Sequence, residues 1–326
     1  MTKITCGEAF MGLIKAYGVE TIFGIPGVHT LELYRGLDRY DIKHVVTRHE
    51  QGAAFMADGY SRATGKPGVC LVISGPGVTN AATALGQAYS DSIPVLMISA
   101  VQSTQGMGLG RGELHELTSQ LSTTAPLTGF SATVYTQEQI PELIARAFAQ
   151  FASSRPRPVH IEIPIDILAQ RATFTQEIRS LPSAPAADQS SISKAVSFLK
   201  SAKKPIILLG GGAQGHGEKV LNLAMRLNAA VINSRASKGI VPEDHPLCLG
   251  ASIRFKETQR LLSEADIVLA IATELAPTDH WMERLNIPGK LIRIDIDPTT
   301  LARDYPAEVP IHGDVGIVLD DLLIQL

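Results

Sequence analysis

A carboxylate heads a run of otherwise small and apolar residues, RHEQGAAFMADGY, from Arg48 to Tyr60. Glutamate is seldom buried without a partner. Glu50 therefore either starts a helix at the surface or serves something held in a pocket. Thr47 to Glu50 spell the capping box S/T-x-x-E, in which the glutamate reaches back to the first amide of the helix. The helix macrodipole also favours an acid in a first turn. Gly52, Ala53, Ala54, Ala57 and Gly59 then make the following turns slim enough for another helix or a ligand to approach. Each helical glycine costs roughly 1 kcal/mol relative to alanine, so their presence asks for a packing or functional reason. GELHELTSQ (Gly112 to Gln120) carries a lone loop histidine, His115, with Glu116 beside it and Glu113 two residues before. Two loops complete the set: GIPGVH, with Pro26, Gly27, Val28 and His29, and SGPGVTN, with Gly75, Gly77, Thr79 and Asn80, just after Ile73. Glycine in such loops lets backbone come close to a ligand.

These residues need a scaffold, and the apolar pattern supplies one. TIFGIPG, VCLVISGPG, IPVLMISA and PVHIEIPID are short, continuous apolar runs that lead into Gly/Pro turns, and IKHVVT precedes Arg48. Strands buried on both faces belong to parallel sheets covered by helices. Helical patterns lie between them at Cys6 to Tyr17, Glu50 to Ala63, Asn80 to Tyr89 and Gln137 to Ala152. Beyond Gln170 the composition changes, and LPSAPAADQSS (Leu181 to Ser191) reads as a linker. PIILLGGGA, AAVINS, ADIVLAIA and LIRIDIDP then repeat the alternation. The expectation is α/β, with two doubly wound parallel-sheet domains in series: residues 1–170, a linker at 171–191, and 192–326. In such sheets ligands sit outside the carboxyl ends of the strands, where the loops above converge.

The bulk numbers exclude other classes. A formal net charge of -3 offers no basic face for nucleic acid. Cys6, Cys70 and Cys248 match neither metal-ligand spacing nor a disulfide framework. The N-terminus lacks the apolar core of a signal peptide, and no run approaches the ~20 apolar residues that span a bilayer. A soluble, cytoplasmic protein is expected. SGPGVTN is not a P-loop, because no Gly-Lys-Ser/Thr follows. Gly210 to Gly215 fits G-x-G-x-x-G, yet the next strand brings Asn233 and Arg235 where a dinucleotide site wants an acid.

FGIPG, RHEQGAAFMADGYSRATGKPGV, SGPGVTNAATALGQAYSDSIPVLMIS and RPRPVHIEIPIDI together resemble the pyrimidine-binding domain of thiamine-diphosphate enzymes, in the branch of acetolactate synthase and the 2-oxo acid decarboxylases. KPIILLGGGA, HPLCLG, ADIVLAIATEL and LIRIDIDP resemble that family's Rossmann-like central domain. The resemblance implies that Glu50 hydrogen-bonds a ring nitrogen of the cofactor's aminopyrimidine and activates it toward a 2-oxo acid. Pro26 and Gly27 match the loop beneath the pyrimidine. Gly75, Gly77, Thr79 and Asn80 form a strand-loop-helix turn at the same edge. Val28 and Ile73 fall where related decarboxylases place polar pocket residues. His115 stands where acetolactate synthases have a glutamine, with His29 and Glu116 as further pocket candidates. VHTLELYRGL resembles the 5-guanidino-2-oxopentanoate decarboxylase branch, which implies a cationic substrate and an acid, Glu116 or Glu113, to meet it. ATELAPTDHW replaces the arginine-containing stretch of flavin-binding members and argues against FAD.

The family holds Mg2+ and the diphosphate in a third, C-terminal domain with a Gly-Asp-Gly motif. Only HGD (His312 to Asp314) comes close to that motif, with twelve residues after it. The resemblance thus implies a piece of a longer enzyme, or a subunit needing a partner, with a homodimer or homotetramer expected for the whole. The competing reading is a non-catalytic nucleotide-binding or regulatory protein using the Gly210 loop.

Overall fold

The computed structural model describes residues 4–326. The chain divides into two compact units, Met1–Ser183 and Ala184–Leu326.

In the first unit six strands form one all-parallel sheet: β1 (Thr21–Gly24), β2 (Lys43–Val46), β3 (Gly68–Val72), β4 (Val95–Val101), β5 (Phe130–Thr133) and β6 (Val159–Pro164), in the order β2-β1-β3-β4-β6-β5. The continuous apolar runs have a direct cause. Val69 and Leu71 of β3 and Leu96 and Ile98 of β4 point into one core. Cys70, Val72, Val95 and Met97, the alternate residues, point into a second core on the other face. Burial pushes the thiols of Cys6 and Cys70 up to about 12, so both behave as small core residues.

The first helices of this unit are α1 (Cys6–Ala16), α2 (Leu31–Arg39), α3 (Glu50–Thr64) and α4 (Pro76–Asp91). The small residues of α3 divide by face. Ala53, Ala54 and Ala57 are buried in one core with Ala81, Ala84 and Ala88 of α4. Gly68 of β3 is needed for this packing, because a Cβ there would lie 1.9 Å from the Ala57 carbonyl oxygen. Gly52 and Gly59 face outward with nothing within 4 Å of a Cβ, on either side of the exposed Phe55 and Met56.

One expected cap and one expected helix start are corrected. The capping box at Thr47 does not form. Thr47 N–H donates to Gly24 O at 3.2 Å and so prolongs the β1–β2 ladder, which keeps its backbone extended. The helix begins at Glu50 as expected, but with His49 as N-cap, its Nδ1 accepting from Gln51 N–H at 3.1 Å. The second correction concerns α4, which starts at Pro76 rather than Asn80. Proline is favoured at the first helical position, where its missing N–H costs nothing. Gly77, Thr79 and Asn80 are therefore helical.

The second unit has its own all-parallel sheet of β7 (Pro205–Leu209), β8 (Ala230–Asn233), β9 (Ile267–Ile271), β10 (Lys290–Asp295) and β11 (Val309–His312), ordered β11-β10-β9-β7-β8. The helix Gln189–Ser201, capped by Asp188, begins inside the stretch read as linker. His312 of the HGD triplet closes β11. Among the described residues no helix is long and apolar enough to cross a membrane.

Candidate active site

Chain order reverses between β1 and β3: the chain leaves β1 for β2 on one side and returns to β3 on the other. Such a switch point opens a crevice at the carboxyl ends of the two strands. The loop Ile25–Gly27 follows β1, and Ile73–Gly75 follows β3. The two loops touch, since a Cβ on Gly27 would lie 2.4 Å from Ile73 Cδ1. Thr30 fixes the first loop by accepting Gly27 N–H at 3.2 Å and donating to Gly27 O at 2.9 Å. Val28 projects into solvent at 61% exposure, and Pro26 is exposed beside it. His29 Nδ1 hydrogen-bonds Ser74 Oγ, which ties the first loop to the second.

Gly75, the N-cap of α4, has φ 61° and ψ -110°, a conformation that asks for glycine. A Cβ there would also lie 2.2 Å from His115 O, so His115 is brought to this turn through its backbone. The rings of His115 and His29 meet edge to face with centroids 6.3 Å apart. Burial, and then the neighbouring His115, hold His29 below its ordinary value, with Glu113 pulling the other way.

Because His49 takes over the cap, Glu50 does not reach back to its own backbone. Its Oε2 accepts from Asn80 Nδ2 at 2.9 Å. Its Oε1 has no donor among the described residues. Asn80 stands five residues along α4 from Gly75, about 7.5 Å at the helical rise. Gly77 packs its bare Cα on Ile73, and Thr79 turns its hydroxyl to Pro76 O at 3.1 Å. Glu50, Asn80, Gly75, Gly27, His29 and His115 thus gather at one sheet edge. Glu116 differs: its carboxylate accepts from the amides of Gly110, Gly112 and Glu113 at 2.7–3.0 Å, which hold its pKa below the ordinary carboxylate value. Among the described residues no cluster of His, Cys, Asp or Glu is arranged to hold a metal ion.

A buried polar network supports the Gly75 turn, and it has no local pattern in the sequence. Gln120 Oε1 accepts Gly75 N–H at 2.9 Å. Its Nε2 donates to Ser99 Oγ, Ala100 O and Glu162 Oε2 at 2.9–3.1 Å. His160 hydrogen-bonds Ser99 Oγ through Nε2 and Thr124 Oγ1 and Ser131 Oγ through Nδ1. Thr133 donates to Glu162 Oε1 at 2.5 Å. Burial lowers His160 to about 3 and raises Glu162. The one available sequence signal was the alternation of His160 and Glu162 with apolar residues in the strand.

The glycines after β7 are explained by packing. A Cβ on Gly210 would lie 1.8 Å from Ala272 O, and one on Gly212 would lie 2.8 Å from Ala272 Cβ. They let the β7 and β9 ends close on each other.

Fold and site define an α/β scaffold with a carboxylate beside a glycine turn at a sheet switch point. Residues 4–123 match the family described as thiamine pyrophosphate enzyme, N-terminal TPP binding domain, and residues 192–322 its central domain. The chain belongs to the thiamine pyrophosphate enzymes. It is 50% identical over 325 residues to the "Probable 2-ketoarginine decarboxylase AruI" of Pseudomonas aeruginosa, across 99% of this chain and 58% of that protein. It is 35% identical over 331 residues to a "Probable acetolactate synthase large subunit" of Methanocaldococcus jannaschii, across 98% of this chain and 56% of that one. The chain thus spans little more than half the length of these relatives. A Mycobacterium smegmatis structure, described as that of a candidate thiamin diphosphate-dependent enzyme, shares the fold with TM-score 0.85 at 24% identity, over 99% of this chain and 63% of its own.

Proposed function

We propose that this chain is the pyrimidine-binding and central portion of a thiamine-diphosphate-dependent enzyme that decarboxylates a 2-oxo acid. The 50% identity to a protein named as a 2-ketoarginine decarboxylase favours decarboxylation over acetolactate-type carboligation, and favours a substrate with a guanidinium end.

The observation that carries the reading is Glu50: Asn80 holds Oε2, and Oε1 is left to accept or share a proton. That arrangement fits an aminopyrimidine, whose ring nitrogen needs an acid-base partner at one fixed point. Thiamine diphosphate, when bound, supplies the electron sink for loss of CO2. Glu50 Oε1 holds the proton shared with the ring nitrogen, and Asn80 fixes the carboxylate's rotamer. Gly27 and Gly75 let backbone approach the ring. His115 and His29 stand at the rim, where an imidazole can take or give a proton. The Mg2+ and diphosphate sites are assigned to a further domain. The outward face of α3, with Gly52, Phe55, Met56 and Gly59, supports assembly as a homodimer or homotetramer.

The test is Glu50→Gln in the complete polypeptide, assayed by CO2 release from a panel of 2-oxo acids. Loss of a positioned acid-base group lowers turnover on the order of 10²–10⁴-fold, with the melting temperature held near wild type. Turnover within twofold of wild type refutes the assignment.

A further inference from the structure

Two carboxylates on the loop after β4 were open to a cationic substrate, Glu113 and Glu116, and the structure separates them. Three backbone amides already engage Glu116. Its charge belongs to the loop. Glu113 is half-buried, and its carboxylate has no hydrogen bond or ion pair among the described residues. Its carboxylate lies directly over Gly106, where a Cβ would come within 2.2 Å of Oε1. It is also close enough to act electrostatically on His29.

A half-buried carboxylate without a partner is costly to keep. Among the described residues of this unit no cation meets it. Burial keeps His29 neutral near pH 7, so the nearby ring supplies no fixed positive charge. The surroundings suit a planar cation in particular. The His29 and His115 rings meet edge to face, with His115 two residues along the same loop from Glu113 and His29 within its electrostatic reach, and a guanidinium both stacks on flat rings and pairs with a carboxylate through two parallel N–H donors.

We propose that Glu113 is the specificity residue of this enzyme: it pairs with the guanidinium of a cationic 2-oxo acid at the rim formed by His29 and His115, whereas Glu116 shapes the loop and does not touch substrate. The inference rests on the decarboxylase reading above and adds to it the group that selects the substrate.

The experiment compares kcat/KM for 5-guanidino-2-oxopentanoate with that for its uncharged 5-ureido analogue, using the complete polypeptide with thiamine diphosphate and Mg2+. Wild type, Glu113→Gln, Glu113→Asp and Glu116→Gln are measured, with melting temperatures to confirm folding. Glu113→Gln lowers the charged-to-neutral ratio at least tenfold, chiefly through KM, and Glu113→Asp recovers part of it. Glu116→Gln disturbs the loop and lowers both substrates alike, leaving the ratio in place. Calorimetric binding of 5-guanidinopentanoate, which cannot react, weakens in Glu113→Gln in the same proportion. A wild-type preference that survives Glu113→Gln overturns the inference alone, as does a ratio that collapses only in Glu116→Gln. A wild type that releases CO2 from no 2-oxo acid overturns the functional reading and the inference with it.

Discussion

Replacing Gln120 by leucine tests how the Gly75 turn is held. Leucine matches the volume of the side chain and removes its amide, which is 4% exposed. One of the released groups keeps a partner: Ser99 Oγ still meets His160, while Glu162 retains Thr133 only on its other oxygen, Oε1. Gly75 N–H and Glu162 Oε2 keep none. Each orphaned buried group costs about 1–3 kcal/mol, more if charged, so Gln120→Leu destabilises the first unit by roughly 2–6 kcal/mol. At about 2–4 °C per kcal/mol for a unit of this size, melting falls on the order of 10 °C. Calorimetry is the suitable assay. The one tryptophan, Trp281, lies in the second unit, so its fluorescence reports on the wrong transition. A first-unit transition displaced by less than about 2 °C, with the second unchanged, refutes the reasoning that this amide holds the turn.

Two further outcomes follow from the same region. His160 is lowered from 6.5 to about 3, so between those values the unfolded chain binds a proton that the fold refuses. Stability from this group is complete above pH 6.5 and falls by up to about 1.4 kcal/mol per unit as pH drops; Glu162, raised by burial, opposes it. Denaturant titrations between pH 7 and 4 should therefore show a shallower acid loss in His160→Gln than in wild type, and equal slopes would count against this. Gly75→Ala places a Cβ against His115 O in a backbone conformation worth about 1–3 kcal/mol of strain. It should lower first-unit melting and displace the His115 loop, and an unchanged calorimetric trace would remove the steric argument.

The central strands of both sheets were legible because a strand buried on two faces writes an unbroken apolar word. The edges were not. Phe130–Thr133 is half-buried at every position, and Val309–His312 alternates buried and exposed and contains Pro310. Both are edge strands, where one unpaired side removes the apolar signal and tolerates proline. Glu50, the glycine turns and His115 were readable as types at loop positions. Their connections were not, since Asn80 lies 30 residues from Glu50 and Gln120 45 from Gly75. The capping box failed for a related reason. Its letters are local, but the ladder bond from Thr47 to Gly24 decides where the helix can begin.

The carboxylate of Glu116 has a consequence for recognition. Gly108, Gly110 and Gly112 all have positive φ, a run with high chain entropy when free. By clasping three amides of that run, Glu116 gives the loop a shape that needs no visitor to complete it. The ordering cost falls at folding rather than at encounter, which is the meaning of preorganisation. A substrate reaching this rim would meet a receptor already set, and affinity there would depend on fit and charge more than on taming a loose chain.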